Sequence, residues 1–333
     1  VRIMEVCGTH THEIFRLGIR KLLPEQVELI SGPGCPVCVT QVGFIDEAIY
    51  LALERQVTIC TFGDLVRVPG TNMSLAGARE KGAKIRIVYS PVDAKEYAKE
   101  HPKEQVTFLS VGFETTTPSA CLSVKKAREE GLTNYSILTA NKTMPQAYEA
   151  LKGSADIFLY PGHVNAITGT KLCEELAKEG VSGVVAGFTA KELLTALAVA
   201  LARFQEGRPF FVNCYPRVVT ENGSPQAQKL VEEMMEPCDS EWRGLGVIKG
   251  SGMRLQEEWS AFDARKKYKI PPIQGKANPA CRCGDVLQGK CKPSDCKVFG
   301  KVCTPQHPIG ACMVSGEGAC SAYYMYGEAE EMK

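Results

Sequence analysis

The 333 residues carry 39 Lys and Arg against 38 Asp and Glu, and a net charge of +1 gives no electrostatic footprint for nucleic acid or an anionic membrane. At this length, with 44% apolar residues, the chain can bury large cores in two or three domains and needs no covalent staples of the kind that hold small secreted scaffolds. The opening Val-Arg-Ile-Met-Glu-Val lacks the pattern of a signal peptide, and the longest apolar run, 193–202, is interrupted by Thr195 and too short to span a bilayer. A cytoplasmic protein with no membrane and no nucleic-acid partner is expected. Because the chain starts without methionine on a strand-like segment, an N-terminal piece is expected to precede it.

In chain order, β-rich runs at 2–6, 27–30, 57–62, 85–89, 106–111, 136–138, 157–160, 184–188 and 210–214 alternate with helical patterns. Phe44, Ile45, Ala48, Ile49 and Ala52, for example, recur at three-and-four spacing and make one apolar face. Such βα alternation predicts an α/β fold with parallel sheets. The polar stretch 93–105, with its His101-Pro102 break, divides the series and predicts two similar parallel-sheet α/β domains, 1–104 and 105–237. After about residue 237 the alternation stops. The segment 238–333 is predicted to be a helical linker and a small irregular C-terminal domain, rich in Cys, Gly, Pro and Lys and ordered by a metal centre.

In open α/β sheets, ligands sit where strands run into loops at their carboxyl ends. The unusual residues fall there: Cys7-Gly-Thr-His10-Thr-His12 after the first strand, Gly-Pro-Gly-Cys35-Pro-Val-Cys38 after the second, and Gly63-Asp64-Leu-Val-Arg67 after the third. Gly112-Phe-Glu114-Thr-Thr-Thr117-Pro118 and Pro161-Gly-His163 follow later strands. One composite site is expected from these loops.

Cys35 and Cys38 form a C-x-x-C at a strand-to-helix transition, where a helix N-terminus favours thiolate and so thiol–disulfide exchange. The plainer reading is half of a structural zinc site, but no second C-x-x-C exists in the chain. Cys7 with His10 and His12 joins a soft ligand to two imidazoles, which suits a reactive or iron-binding thiolate with the histidines as acid, base or hydrogen-bonding groups. Glu114 and the threonines after it also fit ordinary helix capping, Asp64 and Arg67 a simple ion pair, and His163 a turn. The seven cysteines of the tail, Cys281, Cys283, Cys291, Cys296, Cys303, Cys312 and Cys320, lack ferredoxin and zinc-finger spacings. Their wide spacing favours iron and sulfur over zinc without choosing four of the seven.

Cys-Gly-Thr-His-Thr-His, Gly-Pro-Gly-Cys-Pro-Val-Cys, Val-Gly-Phe-Glu-Thr-Thr-Thr-Pro and the cysteine tail together resemble the NiFe-hydrogenase maturation factor HypD family, from residue 2 to about residue 326. The resemblance implies two α/β domains and a small iron–sulfur domain. It further implies a scaffold, shared with a HypC-type chaperone, on which a transient Fe(CN)2CO iron is assembled with cyanide from a HypE-type cyanide donor. The family's C-x14-C-x6-C-x16-C falls on Cys281, Cys296, Cys303 and Cys320 as ligands of a 4Fe-4S cluster, and on no other set. Cys7 would hold the iron being assembled, Cys35 and Cys38 would be the redox-active disulfide, and Cys283, Cys291 and Cys312 would be spare structural thiols. A cluster beside a dithiol also resembles ferredoxin:thioredoxin reductase. An iron-sulfur-dependent disulfide reductase is therefore the alternative function, and in either case thiol-disulfide redox activity is expected.

Overall fold

The computed structural model describes residues 1–327, so the last six positions of the expected 238–333 segment lie outside the described residues. Strands form at β1 Arg2–Glu5, β2 Glu28–Ser31, β3 Thr58–Thr61, β4 Ile85–Ile87, β5 Val106–Ser110, β6 Tyr135–Thr139, β7 Ile157–Pro161, β8 Ser182–Ala186 and β9 Phe211–Asn213. All nine fall on the runs read from the sequence. The central ones are continuously buried, as strands covered on both faces must be. β10 Met235–Trp242 and β11 Gly246–Leu255 form an antiparallel hairpin. Among the described residues, no helix is long and apolar enough to cross a membrane.

The chain divides into two compact units. The first, residues 1–38, 147–225 and 280 onward, holds an all-parallel sheet in the order β2-β1-β7-β8-β9. Its core packs Ile3, Ile14, Leu29, Leu159, Val184 and Leu193, with Leu193 on the helix Ala190–Phe204. A second cluster of Phe15, Phe299, Met313 and Tyr323 lies under the cysteine-rich segment. The second unit, residues 39–146 and 226–279, holds the all-parallel sheet β4-β3-β5-β6 and the hairpin. Phe108, Val124, Tyr135, Met235, Leu255 and Trp259 meet in its core.

The α/β class with parallel sheets is therefore present, but the units do not follow the consecutive division at 104 and 237. β1 pairs with β7, Ile3 opposite Ile157, while β3 pairs with β5, Thr58 opposite Val106. The polar stretch at 93–105 is no boundary. It supplies the solvent-facing side of the crossover helix Pro91–Glu100 between β4 and β5, and a parallel pair requires such a crossover. The segment after 237 is likewise not a helical linker. Its first part completes the hairpin of the second unit, and the cysteine-rich part belongs to the first.

Candidate functional site

Sheet order decides which loops meet. β2, β1, β7 and β8 are neighbours in the first unit, so the residues after their carboxyl ends are Cys35, Cys7, His163 and Phe188 in spatial order. β3 lies in the other sheet, which removes the Asp64 loop from this series.

Cys7 leaves β1 in extended geometry and is the N-cap residue of helix α1, Gly8–Arg16. Its loop and the Cys35 loop are in backbone contact: Gly8 N–H donates to the Gly34 carbonyl at 3.0 Å, and Gly32 N–H to that of Glu5 at 2.9 Å. A Cβ on Gly34 would stand inside the Cys7 backbone, so only glycine allows this approach. Cys35 and Cys38, at the start of the short helix α2, Pro36–Val39, are disulfide-bonded, and Cys38 N–H points at Cys35 Sγ at 3.2 Å. Burial pushes the Cys7 thiol up to about 12, and the nearby Glu317 carboxylate pushes the same way, against the amides of His10 and Thr9 that pull it down. A thiol in this position stays protonated until a cation replaces its proton.

Beneath the two loops lies a buried charge. Glu5, at the end of β1, takes Arg20 Nη2 at 2.6 Å on one oxygen, and Thr11 Oγ1 at 2.8 Å and Ser31 Oγ at 3.2 Å on the other. Thr11 is on α1 and Ser31 ends β2, so one carboxylate fixes the bases of both cysteine loops.

His10 is buried, and its Nε2–H donates to the Gly187 carbonyl at 3.0 Å. Burial lowers it to about 4, so the ring is neutral at ordinary pH and Nδ1 is left without a hydrogen-bond partner. His163 stacks on Phe188 at 3.9 Å between ring centroids, and Phe188 also faces His10 at 4.8 Å. Burial lowers the His163 pKa, while the charge of Glu317 raises it. His12 turns the other way and donates from Nδ1 to the Gly316 carbonyl at 2.9 Å.

The first unit thus carries Cys7, His10, Cys35, Cys38 and His163, with His12 turned instead to the Cys312–Cys320 loop. Asp64 and Glu114 belong to the second. Asp64 sits exposed on a 3-10 turn, Gly63–Arg67. Glu114 accepts from Met144 N–H at 2.8 Å through Oε1, whereas Oε2 is buried without a partner, and burial raises its carboxyl to about 7. The capping read into its threonines is not found: the Thr116 and Thr117 hydroxyls donate back to the Phe113 carbonyl at 3.3 and 2.8 Å. Sequence reasoning also missed Glu317, which accepts from Thr9 Oγ1 at 2.7 Å. Its only signal was a charged residue inside the run Ser-Gly-Glu-Gly between two cysteines.

In the cysteine-rich segment, Cys281, Cys296, Cys303 and Cys320 line one small apolar cavity with Val298, Phe299 and Met313. Cys283 and Cys312, expected to be spare, are disulfide-bonded and border the same cavity, while Cys291 is free. Among the described residues, no three metal-binding side chains converge on a point for a single ion. A 4Fe-4S cluster asks for something different, one thiolate at each iron around a volume. The donor set fits that demand. Four thiols face one apolar space, Ile309 N–H points at Cys303 Sγ at 3.3 Å, and a side chain on Gly310 would collide with Cys281 Sγ. Burial, and then the neighbouring sulfurs of Cys281, Cys303 and Cys296, hold the Cys320 thiol well above its usual range.

The sequence profile of HypD, described as the hydrogenase formation hypA family, matches residues 1–327. The chain belongs to the HypD family of hydrogenase maturation factors. It is 42% identical to the hydrogenase maturation factor HypD of Cupriavidus necator, over 99% of this chain and 90% of that protein. With the HypD of Escherichia coli K12 the identity is 43%, over 99% and 90%, and with that of Rhizobium leguminosarum bv. viciae 44%, over 98% and 89%. The likeness drawn from the motifs therefore extends over about nine-tenths of these relatives' lengths.

Proposed function

We propose that this HypD-family chain is the scaffold and redox component on which the Fe(CN)2CO centre of NiFe hydrogenase is assembled, with a HypC-type chaperone and a HypE-type cyanide donor as partners. The iron is cargo, held by the sulfur of Cys7. The observation that carries this reading is the backbone contact between the Cys7 and Cys35 loops, which sets the Cys7 loop beside that of the C-x-x-C.

The chemistry needs both. Cyanide arrives as a thiocyanate on the donor, and its S–C bond releases cyanide as an anion only when two electrons return the sulfur to thiolate. The dithiolate of Cys35 and Cys38 supplies the pair: donor thiocyanate and two thiolates become donor thiolate, cyanide and the Cys35–Cys38 disulfide, with charge balanced at minus two on each side. Cyanide then bonds to the iron at Cys7. Neutral His10 cannot protonate it, and the Phe188 ring between His10 and His163 keeps that wall apolar. Two electrons return the disulfide to two thiolates, and a 4Fe-4S cluster held by Cys281, Cys296, Cys303 and Cys320 would supply them one at a time.

Infrared spectroscopy of the anaerobic complex with the chaperone tests this reading. Cyanide and carbonyl stretches are expected in the wild type and absent in Cys7→Ala, while Cys35→Ala and Cys38→Ala keep cluster absorbance and lose cyanide-bearing iron. Normal cyanide loading in both C-x-x-C variants would refute the redox step. The competing function, a disulfide reductase, leaves Cys7 dispensable and requires turnover of a disulfide substrate.

A further inference from the structure

The loop between Cys312 and Cys320 lies on the first turn of α1. Thr9 Oγ1 donates to Glu317 Oε1 at 2.7 Å, and His12 Nδ1 to the Gly316 carbonyl at 2.9 Å. A Cβ on Gly8 would come within 2.7 Å of Glu317 Cβ and 3.0 Å of Oε2, so the glycine next to Cys7 is the clearance for this carboxylate. The loop is anchored on both sides, by the Cys283–Cys312 disulfide and by Cys320 in the four-thiol cavity. Thr9 has one hydroxyl proton, and it is directed to Glu317 Oε1.

We propose that Glu317 is a positioning residue for Cys7: through Thr9 it fastens the cysteine-rich segment to the Cys7–Gly8–Thr9 turn, so that the posture of this thiol depends on the anchorage at Cys312 and Cys320. The inference rests on the reading of Cys7 as the iron-holding residue. It adds a mechanical link from the segment holding the four thiols to the sulfur where assembly takes place.

Site-resolved alkylation of Cys7 by iodoacetamide, followed by mass spectrometry on the anaerobic full chain at one pH, tests the link without any iron loaded. Glu317→Ala and Thr9→Val are each expected to speed alkylation about tenfold, the effect of losing one charge-assisted hydrogen bond. The double variant should be no faster than either single one, and Thr9→Ser, which keeps the hydroxyl, should stay within about twofold of wild type. Glu317→Gln separates position from charge, because it keeps an acceptor oxygen without the negative charge. A near wild-type rate supports the link, and a rate equal to that of Glu317→Ala overturns it in favour of simple repulsion. Additive effects in the double variant, or wild-type rates in Thr9→Val, also overturn it, and Thr9→Val carries the test if Glu317→Ala does not fold. An intact alkylation pattern with cyanide stretches surviving in Cys7→Ala would instead sink the assembly reading and leave the link standing.

Discussion

In the first unit the loops after β1, β2 and β7 present Cys7, Cys35 and His163, whereas in the second the loops after β3, β5 and β6 present Asp64, Glu114 and Lys142. Both sheets are parallel, and both send their strand ends into loops that could hold a ligand. The difference lies in what is left unsatisfied. The first unit collects thiols, with Cys7 and Cys320 raised by burial. The second buries single charges: the Glu114 carboxyl raised to about 7 by burial, and Lys142 lowered to about 7 by burial while its Nζ donates to Ser240 Oγ at 2.6 Å and the Glu241 carbonyl at 2.7 Å. A shared architecture therefore says where chemistry is possible, and side-chain type says which chemistry.

The largest expected effect sets cysteines of the two units against each other. Cys320→Ala should abolish the visible absorption of an anaerobically reconstituted cluster. Cys60→Ala and Cys121→Ala, at thiols fully buried in the core of the second unit, should keep it and cost only about 1–2 kcal/mol in urea denaturation as small cavities. Loss of the absorption in Cys60→Ala would break the distinction between ligand and core thiols.

Next comes the buried carboxylate beneath the cysteine loops. Glu5→Gln strands Arg20 and is expected to cost about 3–5 kcal/mol, measured by urea denaturation. Lys84→Ala, which removes the exposed partner of Glu104 in the second unit, should cost at most about 1 kcal/mol. Equal costs would mean that burial of Glu5 confers no special role on it.

Glu114 sharpens the contrast through pH. Its folded value is raised, from 4.5 to about 7, so the stability it contributes is fully present below pH 4.5 and is lost as pH rises through 7. The loss amounts to about 3 kcal/mol, and Glu114→Gln should abolish that part of the pH dependence. Denaturation of both proteins at pH 5 and pH 8 measures it, and parallel pH profiles would show that the carboxyl ionises freely in the fold.

The local elements and the chemistry-bearing loops were legible because they rest on short-range patterns. Apolar runs bounded by glycine and proline marked nine strands, and cysteine and histidine stood out after three of them. The interleaving of the units was not legible, since nothing near Ile3 names Ile157 as its partner. The same holds for Glu317, which acquires its place beside Thr9 only because the cysteine-rich segment packs back onto α1, 308 residues earlier in the chain. The hairpin escaped notice for a different reason. β10 alternates half-buried and exposed positions between its buried ends, but its sequence Met-Glu-Pro-Cys-Asp-Ser-Glu-Trp has Pro237 in mid-run and Glu236, Cys238 and Ser240 where apolar residues would announce a strand.

The smallest expected effect compares two helix starts. In the second unit Ser90 Oγ accepts from Asp93 N–H at 3.1 Å, and Asp93 Oδ2 accepts from Ser90 N–H at 2.9 Å. In the first, Thr189 Oγ1 accepts from Glu192 N–H at 3.3 Å, and Glu192 Oε2 accepts from Thr189 N–H at 3.1 Å. Each is a capping box, so Ser90→Ala and Thr189→Ala should each cost about 1 kcal/mol by thermal denaturation. Each acidic member also accepts from the amide before the cap, Asp93 Oδ2 from Tyr89 N–H at 3.2 Å and Glu192 Oε2 from Phe188 N–H at 3.0 Å. Glu192 in addition pairs with Arg217 at 2.8 Å, and Phe188 carries the stacked ring of His163 and faces His10. Glu192→Ala should therefore cost more than Asp93→Ala and should disturb the His163 ring signals in NMR spectra, whereas Thr189→Ala should leave them in place. If Glu192→Ala and Asp93→Ala proved equal and the histidine signals did not move, the Phe188 loop would be held by its ring packing alone, and the wall beside Cys7 would owe nothing to the helix that follows β8.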